Sequence, residues 1–548
     1  MSDKKNTKLF CLALSALFAI AALAAVIYYI ICPARGYFHS DCTDSLYWAE
    51  AAAESGKVFN PDFFYAALLP FSAQVWLVPL IHIFGVTMAA HTAGMVIFAL
   101  LFFASVIFFC RSMEWSYSFS FFAAGLVLLL LSSSDKMREI MWGHVIYYSL
   151  GLLILFTGMG LMLRTCRQLE KGNKKKGFIY AAVFLVFMTF AATNGLQCLA
   201  IYTLPMFVSL AALVIFNSKD KIISENNIRY LFSAVLLTVS AAVGLLLLLS
   251  WQGDIIARYA NGFSMLDGVG DWAENMMQFP EKYFTLFGVE IEDGAIVGEL
   301  QTLCMLLKFA ASLIVLALPL VLLFYYKKIE DVPTKLLLWV HLAVSAVIMV
   351  GFICGRLAEG NWRLLPMVGT GILASLAAVR FMFRQKENAL SWRRVGALLA
   401  LFPVLCSLVN FGEICAMPAD YGRDNEHHQL AAFLEENGLE YGFAEFWTAQ
   451  ATTVIADSEV KVRPVEFSYE NGAAPYTYQV NKKWYSESGY AEEYFFAMKP
   501  YEYNAVAGSE MWRELVEGHF AAEYECGDYI IFVFDVNPFQ GLEIVETE

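Results

Sequence analysis

The sequence predicts an α-helical polytopic membrane protein of about eleven transmembrane helices, carrying a C-terminal extracytoplasmic α/β domain. Three observations predict it. First, 59% of the 548 residues are hydrophobic and the mean hydropathy is +0.55, too apolar for a soluble chain of this length. Second, the apolar residues come in runs long enough to cross a bilayer. Third, the formal charge of -14 is unevenly placed. From Glu413 onward there are 26 acids and 7 bases, a balance of -19, whereas the preceding part carries +5. The expected division is therefore a membrane part, 1–412, and a soluble part, 413–548. The acidic tail would repel nucleic acid, so no nucleic-acid partner is expected.

The first apolar run, 9–31, follows Lys4, Lys5 and Lys8 and reads as an uncleaved anchor. Ten further runs follow: 89–110, 117–134, 145–163, 178–192, 199–216, 230–251, 302–326, 336–354, 364–383 and 395–411. The charges between them set an orientation. With the N-terminus inside, the inner loops hold Arg111; Arg164, Arg167, Lys171, Lys174, Lys175 and Lys176; Lys219, Lys221 and Arg229; Lys327, Lys328 and Lys335; and Arg384, Lys386, Arg393 and Arg394. The short outer loops hold few, among them Lys136, Arg138, Arg356 and Arg363. The positive-inside rule then holds at every inner loop, and an odd number of spans puts the C-terminal domain outside. In that domain 425–437 reads as an amphipathic helix stopped by Gly438, and 509–517 as a second helix. Strands are expected at 443–447, 453–456, 460–467 and Tyr529–Phe534, the last entered through a Gly527-Asp528 turn.

Eleven cysteines are scattered without a CxxC pair or a zinc spacing, so no metal site is read from them. Cys11, Cys110 and Cys406 lie in apolar runs and pack as small hydrophobes. Cys32 and Cys42 could pair on an oxidising side.

Chemistry concentrates in the first outer loop, 32–88. It contains Asp41 and Asp44, three residues apart at the start of a helix, then Tyr47 and Trp48. As plain structure, Asp41 would cap the helix and Asp44 would complement its positive end. As chemistry, Asp44, Tyr47 and Trp48 share one helix face, and a carboxylate beside aromatic rings suits sugar binding and general-base work. Other ionisable residues gather toward the same membrane side: Asp135, Lys136, Arg138, Glu139 and His144, and later Arg356, Glu359 and Arg363. Inside the spans there is little charge; Lys308 is an exception, close enough to the outer end to snorkel. The loop 252–300 is long and aromatic, suited to lying on the membrane over a lipid. In the tail, Trp447 and Trp484 sit in aromatic clusters that suit either core packing or stacking on sugars.

Asp44, Tyr47, Ala49, Gly56, Pro61, Pro70 and the Phe84-Gly85 pair, together with Asn361-Trp362-Arg363-Leu364-Leu365-Pro366, resemble short segments of the GT-C superfamily of membrane glycosyltransferases. That group includes protein mannosyltransferases and aminoarabinose transferases. Many relatives have Asp-Glu at the first motif, whereas Ser45 follows Asp44 here, so the choice between Asp41 and Asp44 stays open. The resemblance implies inverting transfer of a sugar from a polyprenyl-phosphate donor to a glycan, lipid or protein acceptor. Asp44 or Asp41 would be the general base. Arg363 first, then Arg138 and Arg356, with His144, would bind the donor phosphate. Tyr47 and Trp48 would hold substrate. No cofactor is assigned, and a divalent metal is allowed. Two other classes compete: a transporter or flippase of lipid-linked or small substrates, which would more often show repeats and midplane charges, and a non-catalytic scaffold with an outer sensing domain.

Overall fold

A computed structural model describes residues 2–548 except 146, 218–223, 225–226, 258–261, 263–264, 387, 487–489, 543 and 545–548. Lys219 and Lys221, counted above among the inner-loop charges, lie outside the described residues. The chain forms two compact units. One, the helical unit, comprises Met1–Tyr29, Phe98–Ser250 and Asn261–Met417. The other, the mixed unit, comprises Ile30–Ile97, Trp251–Ala260 and Pro418–Glu548. The segment 32–88 thus belongs to the same unit as the C-terminal residues.

Among the described residues, ten helices are long and apolar enough to cross a membrane. They become eleven if Tyr117–Leu130 and Asp135–Gly143, which meet at a 119° bend, form one broken span. The chain is a multi-pass membrane protein, as expected. The break corrects the run 117–134: the helix stops at Leu130, and Ser132, Ser133 and Ser134 form the turn. Serine hydroxyls compete for backbone carbonyls and so favour helix ends. Ser132 Oγ donates to the Leu128 carbonyl, and Ser134 Oγ accepts from Met137 N–H at 3.0 Å, starting the next short helix.

The two helices with the most buried faces, Tyr147–Glu170 and Leu365–Arg384, are also rich in small residues. Lipid tails are as apolar as leucine, so packing between spans rests on close approach rather than on water release. A Cβ at Gly369 would stand 2.5 Å from Leu152, and one at Gly160 would stand 2.5 Å from Phe108. Those glycines set the distance between the helices.

The mixed unit holds β1 (Phe63–Phe64), β2 (Tyr441–Ala444), β3 (Lys461–Ser468), β4 (Gly472–Pro475), β5 (Val480–Asn481), β6 (Tyr494–Met498), β7 (Phe520–Cys526) and β8 (Tyr529–Phe534). Six strands make one sheet in the order β4-β3-β2-β6-β8-β7, with β2 parallel to β3 and β6 and the other pairs antiparallel. Residues alternate between the faces. Ala444, Val462, Phe495 and Ile531 face a core with Leu430 and Leu434 of the helix Glu426–Glu436 and Ala449 of the helix Phe446–Ile455. Phe443, Phe496, Phe532 and Phe534 belong to an aromatic cluster with Trp512 and Phe539.

The helix expected at 425–437, the strand at 460–467, the strand Tyr529–Phe534 and the helix near 509–517 are all present within two residues. The strands expected at 443–447 and 453–456 are not. A short β2 ends at Ala444, and one helix, Phe446–Ile455, runs through both. Glu445 starts it by accepting from Trp447 N–H at 2.8 Å. The β-branched run Thr452-Thr453-Val454 looks extended, but this is the crossover that two parallel strands need, and that topology overrides local propensity. Cys32 and Cys42 are free thiols.

Candidate functional site

The segment 32–88 leaves the first helix at Ile31 and takes two tight turns, Pro33–Tyr37 and Ser40–Thr43, the second of which runs straight into the helix Asp44–Ser55. Gly56, in the left-handed region at φ 64°, ends that helix. No side-chain hydrogen bond caps either helix start, so the capping role expected of Asp41 is not realised. Other contacts hold the turn. Ser40 Oγ sits 2.7 Å and 2.9 Å from the carbonyls of Phe446 and Trp447 and accepts from Ala451 N–H at 3.2 Å. Thr43 Oγ1 lies 2.9 Å from Gln450 Oε1. The turn that carries Asp41 and leads into Asp44 is thus bolted to the N-terminal end of the crossover helix. Asp44 is 3% exposed and Asp41 is half-buried.

Tyr47 and Trp48 are each 1% exposed. Trp48 Nε1 donates to Gln479 Oε1 at 2.7 Å, and the Tyr47 ring meets Trp484 edge-on at 5.3 Å. Both rings are packed in the interior of the mixed unit. The Arg463 guanidinium stacks 3.9 Å over Trp484 and donates from Nε to Tyr441 Oη at 3.3 Å. Glu50, one turn beyond Leu46 on the same helix, has its carboxyl pushed up to about 7. Burial is the main cause, with the Glu54 charge adding to it and Arg463 opposing it.

Gln479 was not singled out by sequence, yet it ties this region together. Its Oε1 accepts from Trp48 and from Ala66 N–H at 3.4 Å, and its carbonyl accepts from Gln450 Nε2 at 2.6 Å. Its own N–H donates to Phe64, beside the two-stranded pairing of β1 with β5. Gln479 is fully buried at φ 57°, a conformation that a residue with a Cβ adopts at a cost of roughly 1–2 kcal/mol. No sequence signal marks it.

In the helical unit, the broken helix Tyr117–Leu130 leaves carbonyls at its C-terminal end, where partial negative charge gathers. Cations meet them. Arg138 Nη1 donates to the Ser132 carbonyl at 2.9 Å, and Lys308 Nζ donates to the Ser133 carbonyl at 2.8 Å. Glu413 joins the two cations, 2.8 Å from Lys308 and 4.0 Å from Arg138, and Asp135 pairs with Arg138 directly. Lys308 and Arg138 are 6% and 4% exposed. Lys308 therefore does not snorkel to water; Glu413 comes to it.

Arg363 is buried against the Arg356 carbonyl and lies 3.6 Å from Glu359. Arg356 is exposed, with Asp267 at 3.8 Å. The ammonium of Lys136 sits 4.9 Å over the Trp362 ring, and Asn361 donates to Thr285 Oγ1 at 3.2 Å. These contacts bring the segment 131–144, the segment 355–364 and the helix Trp272–Leu286 to one end of the unit. His144 ends the π-helical turn Glu139–Gly143, its N–H donating to the Glu139 carbonyl at 2.8 Å. Of the expected phosphate ligands, Arg138 and Arg363 are the preorganised ones and Arg356 the open one. Among the described residues, no group of three or more His, Cys, Asp or Glu side chains is placed to hold a metal ion.

With this geometry in place, the chain can be compared with solved structures. A crystal structure of the Archaeoglobus fulgidus oligosaccharyltransferase, complexed with zinc and sulfate, superposes over 95% of this chain and 72% of its own at a TM-score of 0.51 and 12% identity. The chain has the GT-C fold. ArnT from Cupriavidus metallidurans, in the apo state, aligns over 96% of this chain and 98% of its own, with a TM-score of 0.48 and 12% identity. No protein-family model matches the sequence, and no curated protein matches it. The GT-C layout expected from the short motifs near Asp44 and Arg363 is therefore the layout of the folded chain.

Proposed function

We propose that this protein is a membrane glycosyltransferase. It would move a sugar from a polyprenyl-phosphate donor to an extracytoplasmic glycan, lipid or protein acceptor, with inversion at the anomeric carbon. The observation that carries the reading is the acid-bearing turn Ser40–Thr43 and the helix Asp44–Ser55, which follow the first span of a GT-C-type chain and are clamped rather than loose. A general base has to be held within hydrogen-bond reach of the proton it takes, so rigidity at this turn suits the role. Asp44 is the first choice, because it opens the helix and matches the superfamily's acid; Asp41 is the second.

Transfer breaks the bond between the anomeric carbon and the phosphate oxygen as the acceptor oxygen attacks, and the acceptor proton passes to the carboxylate. The departing lipid phosphate gains charge, which fixed cations stabilise. Arg363, Arg138 and Arg356 are the cations proposed for it, and Lys308 joins Arg138 through Glu413. The N-terminus is placed inside and the mixed unit outside, by the loop charges.

The test is transfer by the purified protein in liposomes, with radiolabelled polyprenyl-phosphate sugars and a panel of acceptors. Label should move to an acceptor, and Arg363→Lys should transfer poorly, since a point charge does not replace a planar fork. A folded wild-type protein that moves no label from any donor, or moves intact donor across the bilayer, would sink the reading in favour of transport.

A further inference from the structure

The helices Tyr147–Glu170 and Leu365–Arg384 carry the candidate site at one end, next to His144 and Arg363. At 1.5 Å per residue their other ends lie about 30–36 Å away. There a second cluster of charge surrounds the turn that follows the helix Met88–Ser112. Arg167 Nη2 donates to the Ser112 carbonyl at 2.6 Å and its Nε lies 3.0 Å from Glu114. Arg164 Nε donates to Ser112 Oγ at 2.9 Å. Arg111 donates to the Trp115 carbonyl, and Arg380 donates to the Glu114 carbonyl at 3.3 Å. Arg384, one turn beyond Arg380, lies 3.6 Å from Asp331. Five guanidinium groups from three helices thus meet two carboxylates, Glu114 and Asp331.

Topology alone does not ask for this. Orientation in the membrane needs positive charge of either kind, and the neighbouring loop meets it with Lys174, Lys175 and Lys176, all exposed. Around Ser112 the cations are all arginine. Each guanidinium has five N–H donors in a planar fork, and the contacts above engage one or two of them. What remains is an excess of positive charge with directed donors, the chemistry that recognises phosphate oxygens. The setting selects the kind of phosphate. Arg111 lies 3.8 Å over the ring of Tyr117, which is 59% exposed, and Arg164 stacks 4.6 Å over Phe108. The site is therefore rimmed by aromatic side chains at the ends of apolar spans, where headgroups lie.

We propose that this arginine turn binds the phosphate of an anionic phospholipid headgroup. The inference is independent of the proposed transferase activity, since it concerns the opposite ends of the helices. The full chain in detergent is titrated with phosphatidylglycerol, with phosphatidylcholine at equal mole fraction, and with inorganic diphosphate, and is read by melting temperature and native mass spectrometry. Phosphatidylglycerol should raise the wild-type melting temperature and remain bound, and phosphatidylcholine should do neither. Arg164→Gln with Arg380→Gln should weaken retention roughly tenfold or more, while Lys175→Gln with Lys176→Gln should retain lipid like wild type. Equal effects of the two lipids, or equal loss in the lysine variant, would overturn the site. A shift reproduced by diphosphate would assign it to a soluble phosphate compound and overturn the headgroup reading. If the glutamine pair fails to fold, Arg164→Lys with Arg380→Lys decides: full wild-type retention there overturns directed recognition.

Discussion

The helical unit and the mixed unit hold their buried polar groups by different means. In the helical unit the polar contacts near the candidate site include pairs of full charges beside neutral hydrogen bonds: Lys308 with Glu413, and Arg138 with Asp135 and Glu413. In the mixed unit they are mostly neutral: Trp48 with Gln479, Gln450 with Gln479, Tyr441 with the Trp484 carbonyl. The difference follows from the surroundings. Spans packed in lipid gain little from burying apolar surface against each other, and a charge there must be matched by a charge or by helix-end carbonyls. The mixed unit packs its aromatics around a sheet and satisfies their polar tips with neutral partners. Removing one partner should therefore strand a charge in the first unit and lose only a hydrogen bond in the second.

The largest effect should fall on transfer rather than on stability. Asp44→Asn keeps the size of the side chain and removes the proton acceptor. Asparagine keeps an oxygen acceptor in the same place, so the fold should be retained. Single-turnover transfer should fall roughly 100-fold or more at an unchanged melting temperature. If Asp41→Asn alone is inactive, the turn remains the site and the base is Asp41; if both variants transfer normally, the turn is structural.

The next effect tests the charged half of the comparison. Glu413→Gln leaves Lys308 and Arg138 without their shared carboxylate and should cost about 3 kcal/mol of stability, the lower end for a broken buried pair because Glu413 is 36% exposed on its side chain. Melting in detergent measures it, and Glu413→Gln paired with Lys308→Met should recover much of the loss. No recovery would mean that the pair is not the coupled element.

Gln479→Ala tests the neutral half. It strands the Trp48 indole N–H and should cost roughly 1–3 kcal/mol. A loss larger than that of Glu413→Gln would invert the comparison. The smallest effect is a pH dependence. Glu50 titrates higher in the folded protein than the usual 4.5, near 7, so the folded state binds the extra proton between those values. Stability from this group is therefore present at low pH and is lost as pH rises from about 4.5 through about 7. Glu50→Gln should flatten that part of the melting-temperature profile, and an unchanged slope would show that the group titrates normally.

Length and periodicity made the spans legible, because a bilayer demands about twenty apolar residues and the sequence supplies such runs. The break after Leu130 was hidden inside one of them, since serines are tolerated in spans and only the fold shows the chain turning there. The acid pair was legible from its place after the first span. The burial of Tyr47 and Trp48 was not, because their partners, Trp484 and Gln479, lie more than 400 residues away in sequence. Helix Phe446–Ile455 was misread as strands for the same reason: its Thr-rich stretch is extended by local preference and helical by tertiary need. Lys308 stood out as a charge within a span, but nothing in the spacing joined it to Glu413.

The six-stranded sheet also determines how the mixed unit meets other chains. An open sheet offers unpaired backbone groups at its two edge strands, and exposed edges recruit further strands. Here one edge, β7, is exposed and carries Glu523 and Glu525 beside its partner β8. A second copy pairing there would set glutamates against glutamates. The other edge, β4, is four residues long, ends in Pro475 and is packed by the helix Glu510–His519. A proline supplies no donor to a ladder. Both edges are thus poor templates for a further strand.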